Sequence, residues 1–85
     1  MSAEAKAAIL TLLARRGAGK TICPSEAARA LAAARGAPDS WREDMAAVHK
    51  AARLLAREGR VAIRQGGAAI EEAVGAYRIG AGATE

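Results

Sequence analysis

The segment Gly17-Ala18-Gly19-Lys20-Thr21 resembles a P-loop, a motif that binds the phosphates of a nucleotide. That motif requires a glycine five residues before Gly19, and this position is Ala14. It also requires a strand before the loop and a helix directly after the Lys-Thr pair. Here a helical pattern precedes the segment and Pro24 follows it. We therefore expect no ATP binding at this loop.

Nucleophilic catalysis would need Cys23, the only cysteine, together with His49, the only histidine. Cys23 precedes Pro24 near a predicted helix N-terminus, where the thiolate form of a cysteine is favoured. A lone cysteine in a run of β-favouring residues is, however, more often a small buried hydrophobic residue. We expect Cys23 to be buried and unreactive, and His49 to be a surface or partly packed residue.

The sequence contains no set of residues that is suited to metal binding or to acid–base catalysis. A structural zinc ion takes about four ligands, and the chain has one cysteine and one histidine. The paired acids Glu71 and Glu72 fall where a strand is predicted to end, and neighbouring residues of a strand point to opposite faces. The sequence therefore predicts a protein that is not an enzyme, with no metal, no cofactor and no small-molecule substrate.

Length and charge limit the remaining functions. The 85 residues suffice for one small domain, and 13 Lys and Arg against nine Asp and Glu give a net charge of +4. A small basic domain suits a polyanionic partner such as nucleic acid, although an arginine-rich solvated surface has the same composition. No signal-peptide pattern and no uninterrupted apolar stretch of ~18 residues is present. We expect a cytoplasmic, bacterial-type protein without membrane association.

The hydrophobic periodicity predicts three helices that precede a β-hairpin. The second helix follows a Ser25 N-cap, and Ser40 with Glu43 forms the S-x-x-E pattern of a capping box at the start of the third. Alternating residues after Gly59 indicate strands, and Gly66-Gly67 is typical of a two-residue hairpin turn. The predicted elements are helices at 2–16, 26–35 and 40–58, a short strand at 21–23, hairpin strands at 61–64 and 68–70, and a short extended piece at 76–79.

This order of helix, strand, helix, helix, strand and strand is that of a winged helix-turn-helix fold, which is mainly α with a small β-hairpin. We expect a single winged-helix-like domain over residues 1–79 and a frayed C-terminal tail over residues 80–85. In such a domain the third helix usually enters the major groove of DNA, and the turn of the hairpin forms the wing. The fold therefore raises the expectation of nucleic-acid binding without demonstrating it.

The third helix separates its charges when its residues are placed at 100° intervals. Glu43, Asp44 and Glu58 fall on one flank, whereas all the cations fall on the other. This separation suits phosphate contact, and a plain solvated face also permits it. The expected core face comprises Trp41, Met45, Val48, Ala52 and Leu55, with Trp41 as the largest core side chain. With Arg64 of the hairpin added, the candidate nucleic-acid-binding residues are Arg42, His49, Lys50, Arg53, Arg57 and Arg64.

Three stretches of the chain resemble a known family. Residues 19–31 read GKTICPSEAARAL, residues 40–59 match SWRxxMxxVxxAAxxLAxxG, and residues 61–67 match VxIxQGG. Together with the first helix, these motifs cover nearly all of the chain. They are similar to those of a bacterial family of small winged-helix-like domains of unknown function. The resemblance implies that fold, and it implies no activity because the family has none established.

Two functions of different kinds remain open from the sequence. The first is DNA binding, in which the cations of the third helix and Arg64 of the wing contact phosphates or bases of double-stranded DNA. The second is protein–protein interaction without nucleic acid. In that case an exposed apolar patch at Ala46, Ala47 and Leu54 contacts a protein partner or a second copy in a homodimer.

Overall fold

Three α-helices, one 3₁₀ helix and four short strands form the part of the chain that the computed structural model describes, residues 2–17, 19–65, 68–70 and 77–82. The strands form one antiparallel sheet in the order β1-β4-β2-β3. The prediction of a mainly helical domain with a small sheet is confirmed. The elements are α1 (Ser2–Arg16), β1 (Thr21–Ile22), α2 (Pro24–Ala34), a 3₁₀ helix (Pro38–Asp44), α3 (Met45–Arg57), β2 (Val61–Gln65), β3 (Ala68–Ile70) and β4 (Arg78–Ala81).

Glycines end α2 and α3 at the predicted positions, Gly36 and Gly59. Gly59 has a φ angle of +77°, a conformation that glycine adopts without steric penalty. The chain then turns so that the Arg60 N–H donates to the Leu55 carbonyl at 2.9 Å. The same pattern of bonds follows Gly36. These bonds satisfy carbonyl groups that the helix end would otherwise leave unpaired.

The first residues of α2 and α3 differ from the prediction. α2 begins at Pro24 with Cys23, rather than Ser25, as its N-cap residue. Proline suits the first helical position because it has no N–H to satisfy, and the Glu26 carboxylate accepts the Cys23 backbone N–H at 2.9 Å. α3 begins at Met45, so the capping box predicted at the start of the third helix is wrong.

The 3₁₀ helix replaces the predicted first turn of α3. Arg35 Nη2 donates to the Ser40 carbonyl at 3.2 Å and to Asp44 Oδ2 at 2.8 Å. The Ser40 backbone itself departs from helical angles, with φ −99° and ψ 20°. Because a 3₁₀ turn advances about 120° per residue instead of 100°, the placement of Trp41 and Arg42 at 100° intervals does not apply to these two residues.

Aliphatic side chains, rather than tryptophan, fill the core. Val48, Ala52 and Leu55 are fully buried, which confirms most of the expected core face of α3. Met45 and Trp41 are only half-buried, and both pack against the core from its edge. The largest fully buried side chains are Ile9, Ile22, Val48, Leu55, Ile63 and Ile79.

The sheet has one face in the core and one face exposed to solvent. Ile22, Ile63 and Ile79 are in register on β1, β2 and β4 and are buried. β4 lies between β1 and β2, so β1 pairs with β4 and not with the β2–β3 hairpin. Within the described part of the chain, no helix is long and apolar enough to cross a membrane.

The C-terminal strand extends further than predicted. Gly80 and Ala81 were assigned to a frayed tail, whereas they lie in β4 and pair with Ala62 and Val61. The Gly82 N–H also donates to the Arg60 carbonyl at 3.1 Å. The hairpin of β2 and β3 is confirmed by their antiparallel pairing. The predicted turn at residues 66–67 and the paired acids at 71–72 lie outside the described residues.

Candidate nucleic-acid interface

Three cations line the face of α3 that points away from the core. Lys50, Arg53 and Arg57 are exposed and fall within about 60° of one another around the helix axis. Their mean direction is about 180° from that of the buried residues of α3, which include Val48 and Leu55. We call Lys50, Arg53 and Arg57 the α3 row.

The α3 row takes part in none of the ion pairs between described residues. The acids that border α3 are bonded elsewhere. Asp44 pairs with Arg35 of the α2 C-terminus at 2.8 Å, and Glu58 pairs with Lys6 of α1 at 3.0 Å. Because these carboxylates bond to cations of α1 and of the α2 C-terminus, neither forms an ion pair with the row.

The other three predicted contacts lie outside the α3 row. His49 is half-buried, and its Nδ1 atom lies 2.5 Å from the Tyr77 hydroxyl. Arg42 belongs to the 3₁₀ helix, with its guanidinium carbon 4.5 Å from the centroid of the Trp41 ring. Arg64 is exposed on β2. The structure thus brings together three of the six predicted residues on one face.

Tyr77 shapes this region although sequence reasoning did not select it. Burial raises the pKa of its hydroxyl, and the nearby Arg53 charge opposes that effect only in part. The hydroxyl is therefore protonated at neutral pH and donates to His49 Nδ1 when that nitrogen carries no hydrogen. The bond ties His49 of α3 to the residue before β4. The sequence feature that could have drawn attention to Tyr77 is that it and Trp41 are the only Phe, Trp or Tyr residues of the chain.

A second group of cations surrounds Trp41 next to the start of α3. The guanidinium carbons of Arg29 and Arg42 both lie 4.5 Å from the centroid of its half-buried ring. A guanidinium over the face of an indole is attracted by the ring electrons. The Arg29 contact was not predictable from the sequence, because helical periodicity places Arg29 on the exposed face of α2 without identifying the residue beside it.

The exposed face of the sheet carries a further set of arginines. Arg78 donates from Nε to Thr21 Oγ1 at 3.0 Å and from Nη2 to the Thr21 carbonyl at 3.1 Å. Arg16 Nη1, from the last residue of α1, donates to the same carbonyl at 3.3 Å. Arg64 lies beside them, opposite Arg78 in the register of β2 and β4. We call Arg16, Arg64 and Arg78 the sheet cluster.

Glu26 is the described carboxylate that bonds to this cluster. Its Oε1 accepts from Arg16 Nη2 at 2.7 Å, and its Oε2 accepts the Cys23 backbone N–H at 2.9 Å. The backbone bond to Cys23 holds the pKa of Glu26 below its ordinary value, with help from Arg16 and against the effect of burial. Glu26 therefore joins the start of α2 to the end of α1.

The two residues considered for nucleophilic catalysis each bond elsewhere. Cys23 is half-buried rather than buried, because it occupies the N-cap of α2, and its Sγ accepts the Ser25 hydroxyl at 3.2 Å. His49 is bonded to Tyr77. Among the described residues, no three His, Cys, Asp or Glu side chains are placed to hold a metal ion.

An open apolar groove of about 600 Å³ runs between α1 and α2 and reaches the start of α3. Only Ala47 of the apolar patch predicted at Ala46, Ala47 and Leu54 lines it. Ala46 lies instead on the exposed face of α3, and Leu54 is half-buried. The apolar side chains that line the groove are Ala7, Ala8, Leu12, Ala30, Leu31, Ala34 and Ala47.

Comparison with known proteins yields one family. A family model described as a protein of unknown function, DUF3253, matches residues 2–82. All the described helices and strands lie within that range. No curated protein matches the chain.

Proposed function

The chain belongs to the DUF3253 family of unknown function, and we propose that its domain binds double-stranded DNA through α3. The α3 row carries this proposal, because its three exposed cations share one helix face and form no ion pair with a described residue. The major groove of DNA admits an α-helix. Lysine and arginine on the inserted face contact phosphates or the edge of guanine.

A winged-helix arrangement of the elements supports this function, and we infer that arrangement here. α2, the 3₁₀ helix and α3 correspond to a helix-turn-helix, and the strands after α3 correspond to the wing. α1 and β2 both pack against α3, while the α3 row faces solvent. The helix that reads DNA in such a fold is thus the one that carries the row.

Three phosphate contacts set a salt dependence that can be measured. The logarithm of the binding constant falls with the logarithm of salt concentration with a slope of about −0.9 for each contact. The α3 row therefore predicts a slope of about −2.7, which weakens binding about fortyfold between about 50 and 200 mM salt.

Fluorescence anisotropy of a labelled duplex, titrated at several salt concentrations, tests the proposal. We expect Arg57→Gln to weaken binding and to reduce the slope by about 0.9. Arg15→Gln is the matched control, since Arg15 is an exposed cation near the end of α1. An equal loss in both variants would mean that total charge alone drives binding. That result, or an absence of binding at low salt, contradicts the proposal.

The groove between α1 and α2 favours a second candidate function, self-association of the domain. The groove lies on the flank of α3 away from the α3 row. Self-association through the groove therefore does not require DNA. Light scattering distinguishes the two candidates. If the groove is a dimer interface, the wild type is a dimer and Leu12→Glu is a folded monomer by circular dichroism. A wild-type monomer rejects this function.

A further inference from the structure

Three guanidinium groups gather on the exposed face of the sheet, away from the α3 row. Arg16 and Arg78 donate to the same oxygen, the Thr21 carbonyl, at 3.3 and 3.1 Å. Two guanidinium groups bonded to one oxygen are close neighbours, and their mutual repulsion is unfavourable unless an anion offsets it. The fold therefore holds two positive charges together at the end of α1 and the start of β4.

The register of β2 and β4 adds a like-charge pair to this group. Arg64 lies directly opposite Arg78, and both side chains are exposed. Side chains opposite each other on antiparallel strands have Cβ atoms about 4.5–5.5 Å apart, and like charges in that position are destabilising. An acid at either position would stabilise the pairing, whereas the chain has arginine at both.

The described carboxylates neutralise this group only in part. Glu26 pairs with Arg16 at 2.7 Å. Arg64 and Arg78 appear in no ion pair between residues that the structure describes. Glu26 also feels the charge of Arg78, which adds to the effect of the Cys23 backbone N–H in lowering its pKa. One described carboxylate thus faces three guanidinium groups, and Arg64 has no described counter-charge.

Backbone geometry leaves room above the strands for these side chains. A Cβ at Gly80 would lie 3.3 Å from Arg64 Nε and 3.3 Å from Thr21 Cγ2, closer than ordinary contact. Glycine at this position therefore lets Arg64 lie across β4 beside Thr21. Arg78 is held from the other side by its bonds to the Thr21 hydroxyl and carbonyl.

We propose that Arg64 and Arg78, with Arg16 behind them, bind a phosphate group on the exposed face of the sheet. Guanidinium groups suit this ligand because their paired N–H donors match the oxygens of a phosphate. A guanidinium has five N–H donors, and Arg78 uses Nε and Nη2 toward Thr21. The phosphate comes either from a DNA backbone or from a free phosphate compound. The site goes beyond DNA binding by α3 and exists whether or not the α3 row binds DNA.

Pyrophosphate is the probe for the site itself. Nuclear magnetic resonance of the arginine Nε–H groups follows its addition, with chloride at the same ionic strength as the reference. We expect saturable shifts at Arg64 and Arg78 and an affinity about tenfold weaker in Arg64→Gln. Arg15→Gln, which removes an exposed cation outside the sheet cluster, leaves the pyrophosphate affinity unchanged. Arg64 is exposed, so its replacement leaves the fold intact, which circular dichroism checks.

Duplex DNA is the second probe and identifies the source of the phosphate. If DNA shifts the Arg64 and Arg78 signals even when all three cations of the α3 row are replaced by glutamine, the sheet cluster binds the DNA backbone. If only pyrophosphate shifts them, the ligand is a free phosphate compound. Failure of DNA binding with retained pyrophosphate binding thus overturns the function of α3 and not this site. Shifts that do not saturate, or an unchanged affinity in Arg64→Gln, overturn the site.

Discussion

Replacing Glu26 separates two bonds that one carboxylate makes at the start of α2. Oε2 accepts the Cys23 backbone N–H at 2.9 Å, and Oε1 accepts from Arg16 at 2.7 Å. In Glu26→Gln an amide oxygen still accepts the backbone N–H, but the charge is lost. In Glu26→Ala both bonds are lost. The pair of variants therefore distinguishes the cap from the ion pair.

The expected magnitudes follow from the exposure of each group. The Arg16 and Glu26 side chains are 44% and 32% exposed, so solvent screens their attraction, and the pair contributes about 0.5 kcal/mol. Loss of the bond to the Cys23 N–H costs about 1 kcal/mol more. We expect the free energy of unfolding to fall by about 0.5 kcal/mol in Glu26→Gln and by about 1.5 kcal/mol in Glu26→Ala. A loss of about 1 kcal/mol lowers the Tm of a domain of this size by about 4–8 °C.

The dependence on pH has a definite sign. The pKa of Glu26 is lower in the folded protein than its ordinary value, chiefly because of the backbone N–H of Cys23. Its contribution to stability is therefore complete above the pKa of the unfolded chain, and it is lost as the pH falls through the folded pKa. In acid the carboxyl group of Glu26 is protonated and uncharged, as the glutamine side chain is at every pH. The stability of the wild type should therefore approach that of Glu26→Gln in acid.

Urea unfolding followed by circular dichroism, at about pH 7 and about pH 3, measures both effects. Glu43→Gln is the matched control, since Glu43 is an exposed acid of the 3₁₀ helix. It should change stability by less than about 0.5 kcal/mol at either pH. The reasoning is refuted if Glu26→Ala is no less stable than Glu26→Gln at neutral pH. It is also refuted if the difference between the wild type and Glu26→Gln persists undiminished in acid.

Two further substitutions test contacts that position the candidate interface. Tyr77→Phe removes the hydroxyl that bonds His49 and should lower the free energy of unfolding by about 1 kcal/mol; unchanged stability in urea would show that the bond contributes nothing. Gly82→Ala would place a Cβ against the Gly59 carbonyl oxygen, and this overpacking should cost about 1–3 kcal/mol. Gly19→Ala is the comparison, because Gly19 has a positive φ angle but open space around it. A smaller loss at Gly82 than at Gly19 would contradict the close approach.

The C-terminal ends of α2 and α3 and the α3 row were predictable because local chemistry determines them. A glycine that follows a helical pattern ends the helix whatever lies around it, as Gly36 and Gly59 do. Helical periodicity alone places Lys50, Arg53 and Arg57 on one face. These inferences need no knowledge of how the helices pack.

The 3₁₀ helix was not predictable from the local pattern, and its residues contact an arginine of another element. Ser40 and Glu43 have the spacing of a capping box, yet the Arg35 guanidinium bonds to the Ser40 carbonyl and to Asp44. That arginine follows the end of α2. Trp41 lies in this 3₁₀ helix, where the spacing of an α-helix does not hold. The expectation that Trp41 is the largest core side chain relied on that spacing.

The sheet cluster required the strand order, which periodicity does not provide. Arg78 and Thr21 are 57 residues apart and meet only because β4 lies between β1 and β2. The sequence indicated an extended piece near Arg78 but not its partners. Arg64 was predicted as a wing residue, and its position opposite Arg78 became evident only from the register of β2 and β4.

The α3 row forms no ion pair with a described residue, although acidic residues lie near α3. Asp44 and Glu58 border the helix, and each instead bonds to a cation of another element, Arg35 or Lys6. An exposed ion pair contributes at most about 1 kcal/mol, so stability alone gives little reason to prefer these partners over the row. The arrangement does have one electrostatic consequence, since it leaves Lys50, Arg53 and Arg57 together on one exposed helix face without an ion pair to a described residue. Such a distribution attracts a polyanion more strongly than the same charge spread evenly would, and this is the physical reason to test DNA first.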